Sequence, residues 1–283
     1  LKYDAVVIGA GIFGSLITRA LRASGRNVLT VDAKYKNAGS APAACLMRPG
    51  WFSSLGKDVY EPALKKLDEL VGVRDLQFKT PVGNTTVHWC DPKQVLLDQN
   101  EVLVGAVTQI IGTAGQWLLY RSGGEQIRIP LLVVATGIWT KTLVPEVEVT
   151  SQAGVAWLRP ANIIEQPFIR VWAPYKQIVA FNRGDGLWAG DGLALRTWSD
   201  AYENASRERC DNALLRRSVL GPSINSPKAP EVVKLFGYRP YVKDAKPCLL
   251  KEVRKGLWVA TGGAKNGTLA AGWCADQIVR RVT

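Results

Sequence analysis

Gly9, Gly11 and Gly14 stand at G-x-G-x-x-G spacing directly behind the apolar run Val6-Val7-Ile8, and Asp32 closes a second apolar run, Val28-Leu29-Thr30-Val31. Glycines so placed let the chain turn tightly, bring backbone against a pyrophosphate and seat a helix close to its sheet. Ile12 and Phe13 supply intervening amides, and the helix expected from Ser15 to Ala23, closed by Gly25, points its positive end at the phosphates. Asp32, with Ala33 beside it, sits where a carboxylate accepts hydrogen bonds from both ribose hydroxyls and repels a 2′-phosphate. Strand, glycines, helix and acid together predict an ADP-containing dinucleotide. Arg239, in Gly237-Tyr238-Arg239-Pro240, offers a guanidinium that can hold a carboxylate by two parallel hydrogen bonds; the alternative is a structural ion pair with Asp244.

Composition narrows the chemistry. His88 is the single histidine, which excludes a His dyad or a His-rich metal site, and within the strand-like Val87-His88-Trp89 it reads as structural. Cys45, Cys90, Cys210, Cys248 and Cys274 are odd in number, widely spread and lack C-x-x-C, which suits a reducing compartment and argues against a disulfide frame or a zinc site. No apolar run approaches the ~20 residues of a membrane span. The first strand begins by Tyr3 and leaves no room for a signal peptide. The expected location is cytoplasmic, or the host cytoplasm if the protein is phage-encoded. Lys and Arg number 36 against 24 acids, a net charge of +12, and that excess attracts a polyanion along its whole length. Basic clusters occur at Lys34/Lys36, Arg207/Arg209, Arg216/Arg217, Lys251/Arg254/Lys255 and Arg280/Arg281.

Hydrophobic periodicity gives the elements that must hold these residues. Residues 57–72, apolar at Leu64, Leu67, Leu70 and Val71, predict a helix, and strand-like pieces cover 76–90 around a turn at Pro81-Val82-Gly83-Asn84. Val102-Leu103-Val104 through Val107-Thr108, Gln116 to Arg121 and Ile127 to Ile129 read as a β-meander. Leu131 to Ala135 is a buried strand ending in Thr136-Gly137-Ile138-Trp139, where Gly137 permits close approach to a ligand. The small residues from Asn37 to Leu46, among them Ser40, Ala41, Ala44 and Cys45, suit a flat ring lying against them. The region 143–235 alternates strands with a helix around 200–219, and Leu257-Trp258-Val259-Ala260 leads through a glycine-rich turn into a last helix, 269–281.

Taken in order, these motifs resemble the D-amino-acid oxidase/glycine oxidase superfamily of FAD-dependent amine oxidoreductases. That superfamily includes the flavoprotein domain that removes a carboxymethyl group from an aminomethyl-uridine in tRNA. The shared features are the opening fingerprint, the loop containing Ser40-Ala41 and Ala43-Ala44, the strand end Ala135-Thr136-Gly137-Ile138-Trp139, Gly237-Tyr238-Arg239-Pro240 with Asp244 and Pro247 behind it, and the turn Gly262-Gly263-Ala264-Lys265-Asn266-Gly267. The resemblance implies non-covalent FAD held by the fingerprint, Asp32, Ala33, Ser40, Ala41, Ala44, Cys45, Val107, Gly137, Gly263, Asn266, Gly267 and Thr268. It makes Arg239 the substrate-carboxylate clamp and Lys265 a cation near the flavin. Three features depart from the pattern: the helix after Asp91-Pro92 is largely deleted, Lys265 replaces the usual Arg, and Arg48 stands where a small residue is usual. Arg48 therefore joins Arg239 and Lys265 as a catalytic-site residue suited to a substrate larger and more anionic than free glycine.

The expected architecture is α/β with an α+β substrate region. A Rossmann-type FAD-binding domain, residues 1–50, 94–142 and 237–283, is interleaved with a smaller mixed or antiparallel β-sheet substrate domain, residues 51–93 and 143–236. The expected reaction is FAD-dependent oxidation of the Cα–N bond of an N-substituted glycine, which needs alignment more than acid–base machinery. Its carrier is expected to be a base of DNA or RNA, giving an aminomethyl pyrimidine and glyoxylate. The alternative is a free amino acid: glycine, sarcosine or a D-amino acid.

Overall fold

The computed structural model describes residues 2–40, 42–51, 55–113, 115–159, 167–172, 176–192, 195, 199–215 and 232–282. β1 (Ala5–Ile8), β2 (Val28–Asp32), β6 (Val102–Val104), β10 (Leu131–Val134), β16 (Leu249–Arg254) and β17 (Leu257–Thr261) form one sheet in the order β16-β17-β10-β1-β2-β6. All neighbours are parallel except β16 and β17. Every residue of β1, β10 and β17 is buried, as expected of central strands covered on both faces. Their side chains alternate between two cores. Ala5, Val7 and Val133 pack with α1 (Ile12–Ala23), α2 (Lys57–Val71) and α6 (Gly267–Val282). Val6, Ile8, Leu132 and Val134 pack against Trp117, Leu119 and Ile129 of a three-stranded meander, β7 (Val107–Thr113), β8 (Gln116–Arg121) and β9 (Gln126–Ile129).

A second sheet contains β3 (Leu46–Met47), β4 (Arg74–Thr80), β5 (Gly83–Trp89), β11 (Thr150–Arg159), β12 (Phe168–Trp172), β13 (Lys176–Asn182), β14 (Leu187–Gly190) and β15 (Val233–Tyr241), in the order β15-β11-β14-β13-β12-β4-β5-β3. It is mixed, because β12 pairs with β4 in parallel. Period-two alternation again separates two layers. Val155, Trp157, Ile178 and Ala180 face one cluster with Cys210 of α5 (Asp200–Leu215), while Ala156, Val179, Phe181 and Trp188 face another with Phe78 and Trp89. Short helices α3 (Pro92–Val95) and α4 (Thr140–Leu143) complete the described elements, and α3 is the single-turn remnant expected after Asp91. Among the described residues no helix is long and apolar enough to cross a membrane.

The structure revises three expectations. Val102–Val104 is not part of the meander; it pairs with β2 as the edge of the parallel sheet. β3 and all of β15 to Tyr241 belong to the second sheet. The break at 236/237 therefore falls inside a strand of that sheet, and the break at 50/51 leaves its strand β3 on the other side. Residues 57–71 pack Ala63 and Leu67 into the core beneath the parallel sheet rather than into the second region. An amphipathic stripe states that a helix has a buried face, not which sheet will bury it.

Candidate active site

Parallel α/β sheets bind ligands where their strands end, and here the carboxyl ends of β1, β2, β10 and β17 open into one cavity of about 580 Å³. At the β1 end, Gly9 adopts φ +101°, and a Cβ there would lie 2.5 Å from the Ala135 carbonyl oxygen. Gly14 lies outside the lining and serves packing, because a Cβ would lie 1.7 Å from the Gly9 carbonyl oxygen. The Ile12 N–H donates to Ser40 Oγ at 2.9 Å, which shows that the first amides of α1 are presented to an oxygen acceptor across Gly11. Asp32 accepts from the Ala10 N–H at 2.5 Å and the Lys34 N–H at 2.6 Å, so its carboxylate is fixed at the tip of β2. Tyr35, 53% exposed, meets Trp139 at 5.1 Å between ring centroids and walls the same end of the cavity.

The small-residue loop is fixed from the second sheet. Ala38 bridges to Tyr238 of β15, and a Cβ on Gly237 would lie 2.9 Å from the Ala38 carbonyl oxygen. Trp188 Nε1 donates to the Pro42 carbonyl at 3.2 Å, and Arg183, held by Asp185, donates to the Ala43 carbonyl at 3.4 Å. Cys45 is buried with the Thr268 hydroxyl beside it; burial pushes its thiol up to about 11, the opposite of an activated nucleophile. His88 pairs with Asp75 at 2.6 Å on β5, remote from the cavity lining, in keeping with a structural role.

The cavity brings together Gly9, Gly11, Ile12, Phe13, Asp32, Ala33, Ser40, Ala44, Cys45, Val107, Gly137, Gly263, Asn266, Gly267 and Thr268, with Arg239 and Lys265. Ala41 lies outside the described residues. Arg48, half-buried just beyond β3, does not line the cavity, so a short β-pairing of Leu46 and Met47 with β5 takes it away from the site. Arg239 is half-buried, and its guanidinium lies flat over Gly154 of β11, where a Cβ would come within 2.8 Å of it. Burial lowers the Arg239 pKa, while Asp191 and Tyr202 oppose that; Asp191, rather than Asp244, is the carboxylate whose charge acts on it. Lys265 sits on the turn before α6 and is held below the usual lysine range by burial, then by Arg239, with Asp191 opposing.

The sequence did not reveal the group behind these cations. Asp191, 2% exposed, ends β14 and accepts from Arg209 Nη2 at 2.6 Å and from the Tyr202 hydroxyl at 3.1 Å. The available signal was an acid between glycines, Gly190-Asp191-Gly192, at the end of a buried strand. Tyr202 and Arg209 are seven residues apart and therefore share a face of α5, a spacing legible only once that helix is known to cover this sheet.

Two substitutions test this geometry. Gly154→Ala is expected to displace the Arg239 guanidinium and weaken carboxylate binding by about 1–3 kcal/mol, the cost of overpacking, with flavin content unchanged. Titrating a small carboxylate against the flavin absorbance measures it. Asp32→Ala removes the carboxylate expected to hold the ribose, and gel filtration should then strip flavin readily, for a loss of about 1.5–3 kcal/mol.

The fold and cavity define a dinucleotide-binding oxidoreductase of the two-sheet flavoprotein class. A profile of the DAO family, described as FAD dependent oxidoreductase, matches residues 97–281, and the chain belongs to that family. Glycine oxidase from Geobacillus kaustophilus superposes with a TM-score of 0.67 at 17% identity, covering 98% of this chain and 93% of that one. The FAD dependent oxidoreductase PA4991 from Pseudomonas aeruginosa gives 0.72 at 16% identity over 100% and 90% of the two chains. The dithionite-reduced, FAD-bound L-alpha-glycerophosphate oxidase from Mycoplasma pneumoniae gives 0.69 at 14% identity over 98% and 94%. A search among curated proteins finds no match to this sequence. The cofactor is FAD. The close approaches at Gly9 and Gly11, the presented Ile12 amide, the fixed Asp32 carboxylate and the α6 N-terminus fit a long, anionic, flat-ringed molecule.

Proposed function

We propose that this FAD-dependent oxidoreductase oxidises the Cα–N bond of an N-substituted glycine carried on a nucleic-acid base. The amine loses a hydride from its α-carbon and a proton from nitrogen; water then splits the imine into an aminomethyl pyrimidine and glyoxylate. FAD supplies the two-electron acceptor. The observation that carries the reading is the half-buried Arg239 beside Lys265 on the wall of the FAD cavity, a pair of cations suited to one substrate carboxylate. Arg239 orients that carboxylate from the rigid edge of a sheet, which fixes the neighbouring α-carbon.

The polymer carrier is supported by the net charge of +12 and by the shortness of the single-turn α3. Arg207, exposed on α5 over the Trp157 ring at 5.8 Å, is a candidate phosphate contact on the helix that backs the cations. Arg216 and Arg217, the other candidates on this stretch, lie outside the described residues. The likeness to glycine oxidase favours a second reading, in which a free amino acid is the substrate. Mixing the purified yellow protein with glycine, sarcosine and D-amino acids, and separately with oligonucleotides carrying a glycyl-modified pyrimidine, decides between them by which one bleaches the flavin.

Lys265 gives this reading a pH dependence. Its lowered pKa means that raising the pH removes the positive charge earlier than for an ordinary lysine. Carboxylate affinity is therefore expected to fall on the alkaline side, and Lys265→Met should abolish that limb while leaving the Arg239-dependent binding.

A further inference from the structure

Asp191 has no part in the chemistry so far, yet among the described residues it is the carboxylate whose charge bears on both cavity cations. Its side chain is fully enclosed, lies at the end of β14 on the cavity wall, and receives Arg209 at 2.6 Å and the Tyr202 hydroxyl at 3.1 Å. Both partners come from α5, an element separate from those that carry the cations. We infer that Asp191 is a positioning residue: it fastens α5 behind the cavity and places a negative charge that keeps Arg239 and Lys265 together as cations for one incoming carboxylate. This rests on the carboxylate-binding reading of the site.

The argument is electrostatic and geometric together. Two cations brought near each other on a cavity wall repel, and an enclosed carboxylate beside them offsets that repulsion. The titratable and charged groups on the elements around Lys265 are Lys234, Tyr238, Arg239 and Tyr241 of β15, Cys274, Asp276, Arg280 and Arg281 of α6, Asp191 after β14, and Tyr202 and Arg209 of α5 behind Asp191. Of these, Arg239 lowers the Lys265 pKa and Asp191 raises it. Arg209, in turn, partly neutralises Asp191 through their ion pair. Asp191→Asn and Arg209→Gln break the same ion pair but change the local charge in opposite directions. A merely structural contact predicts one shared defect; a charge-placing residue predicts opposite shifts.

The experiment measures binding of N-acetylglycine, a carboxylate that cannot be oxidised as an amine, by perturbation of the bound flavin's absorbance across pH. In Asp191→Asn the alkaline limb is expected to move down by about one pH unit or more, the scale on which a neighbouring opposite charge shifts a titrating group. In Arg209→Gln it is expected to move up. Shifts in the same direction, or none, overturn the inference. Should Asp191→Asn fail to retain FAD, Arg209→Gln alone decides: an upward shift supports the inference and a downward or absent one overturns it. If the wild-type protein binds no carboxylate, the proposed function fails and this inference falls with it, a result distinct from normal wild-type binding with unshifted variants.

Discussion

Arg239→Ala is expected to leave FAD bound and to cost about 2–5 kcal/mol of substrate-carboxylate binding, the scale for truncating one partner of a buried charged pair. That corresponds to roughly a 30- to 4,000-fold weaker complex. The loss is large because the half-buried guanidinium lies flat over Gly154 on the cavity wall, held in place to make its hydrogen bonds. FAD retention should be unaffected, since the fingerprint and Asp32 are held by the Ser40, Ala10 and Lys34 contacts and the loop by Trp188 and Arg183. Arg239→Lys should recover only part of the binding, because a point charge cannot replace two parallel hydrogen bonds. Single-turnover flavin reduction against substrate concentration checks the prediction. An unchanged dissociation constant in Arg239→Ala would remove the carboxylate clamp from the site.

Salt should have the other large effect. If the amine is carried on nucleic acid, each phosphate neutralised by Lys or Arg releases condensed counterion, and log K falls with log salt at about −0.9 per contact on duplex DNA. Six to ten such contacts would lower affinity by about 10³–10⁵ between 50 and 200 mM salt. The net charge of +12 supplies enough cations for this, whereas free glycine or sarcosine, lacking the phosphates, should bind with little salt dependence. Arg207→Glu should weaken the oligonucleotide and leave flavin content intact. Efficient, salt-insensitive turnover of a free amino acid, with no nucleic-acid binding at low salt, would make the surface charge incidental and the second reading correct.

The cofactor half of the site was legible in the chain because its requirements are local. Gly9, Gly11 and Gly14 are demanded by backbone approaches within one strand–turn–helix unit, and Asp32 follows at the tip of the next strand. The buried runs of β1, β10 and β17 announced a parallel sheet, and the turn from Gly263 to Thr268 announced the start of the last helix. Arg239 was visible through its Gly-x-Arg-Pro setting. Sequence alone therefore determined a dinucleotide fold of this family and its FAD, and it singled out Arg239, the residue proposed to hold the carboxylate.

Tertiary structure decided what depends on residues distant in the chain. Val102–Val104 reads like any short apolar strand, and only hydrogen bonding to β2 makes it an edge of the parallel sheet. Arg48 is cationic in any alignment, but pairing of Leu46 and Met47 with β5 carries it away from the cavity. Asp191, Tyr202 and Arg209 look like ordinary surface polar residues until α5 is laid across β11, β13 and β14 and encloses them. A charge's role is set by burial and by the sign of its neighbours, and both are properties of the packed fold rather than of spacing along the chain.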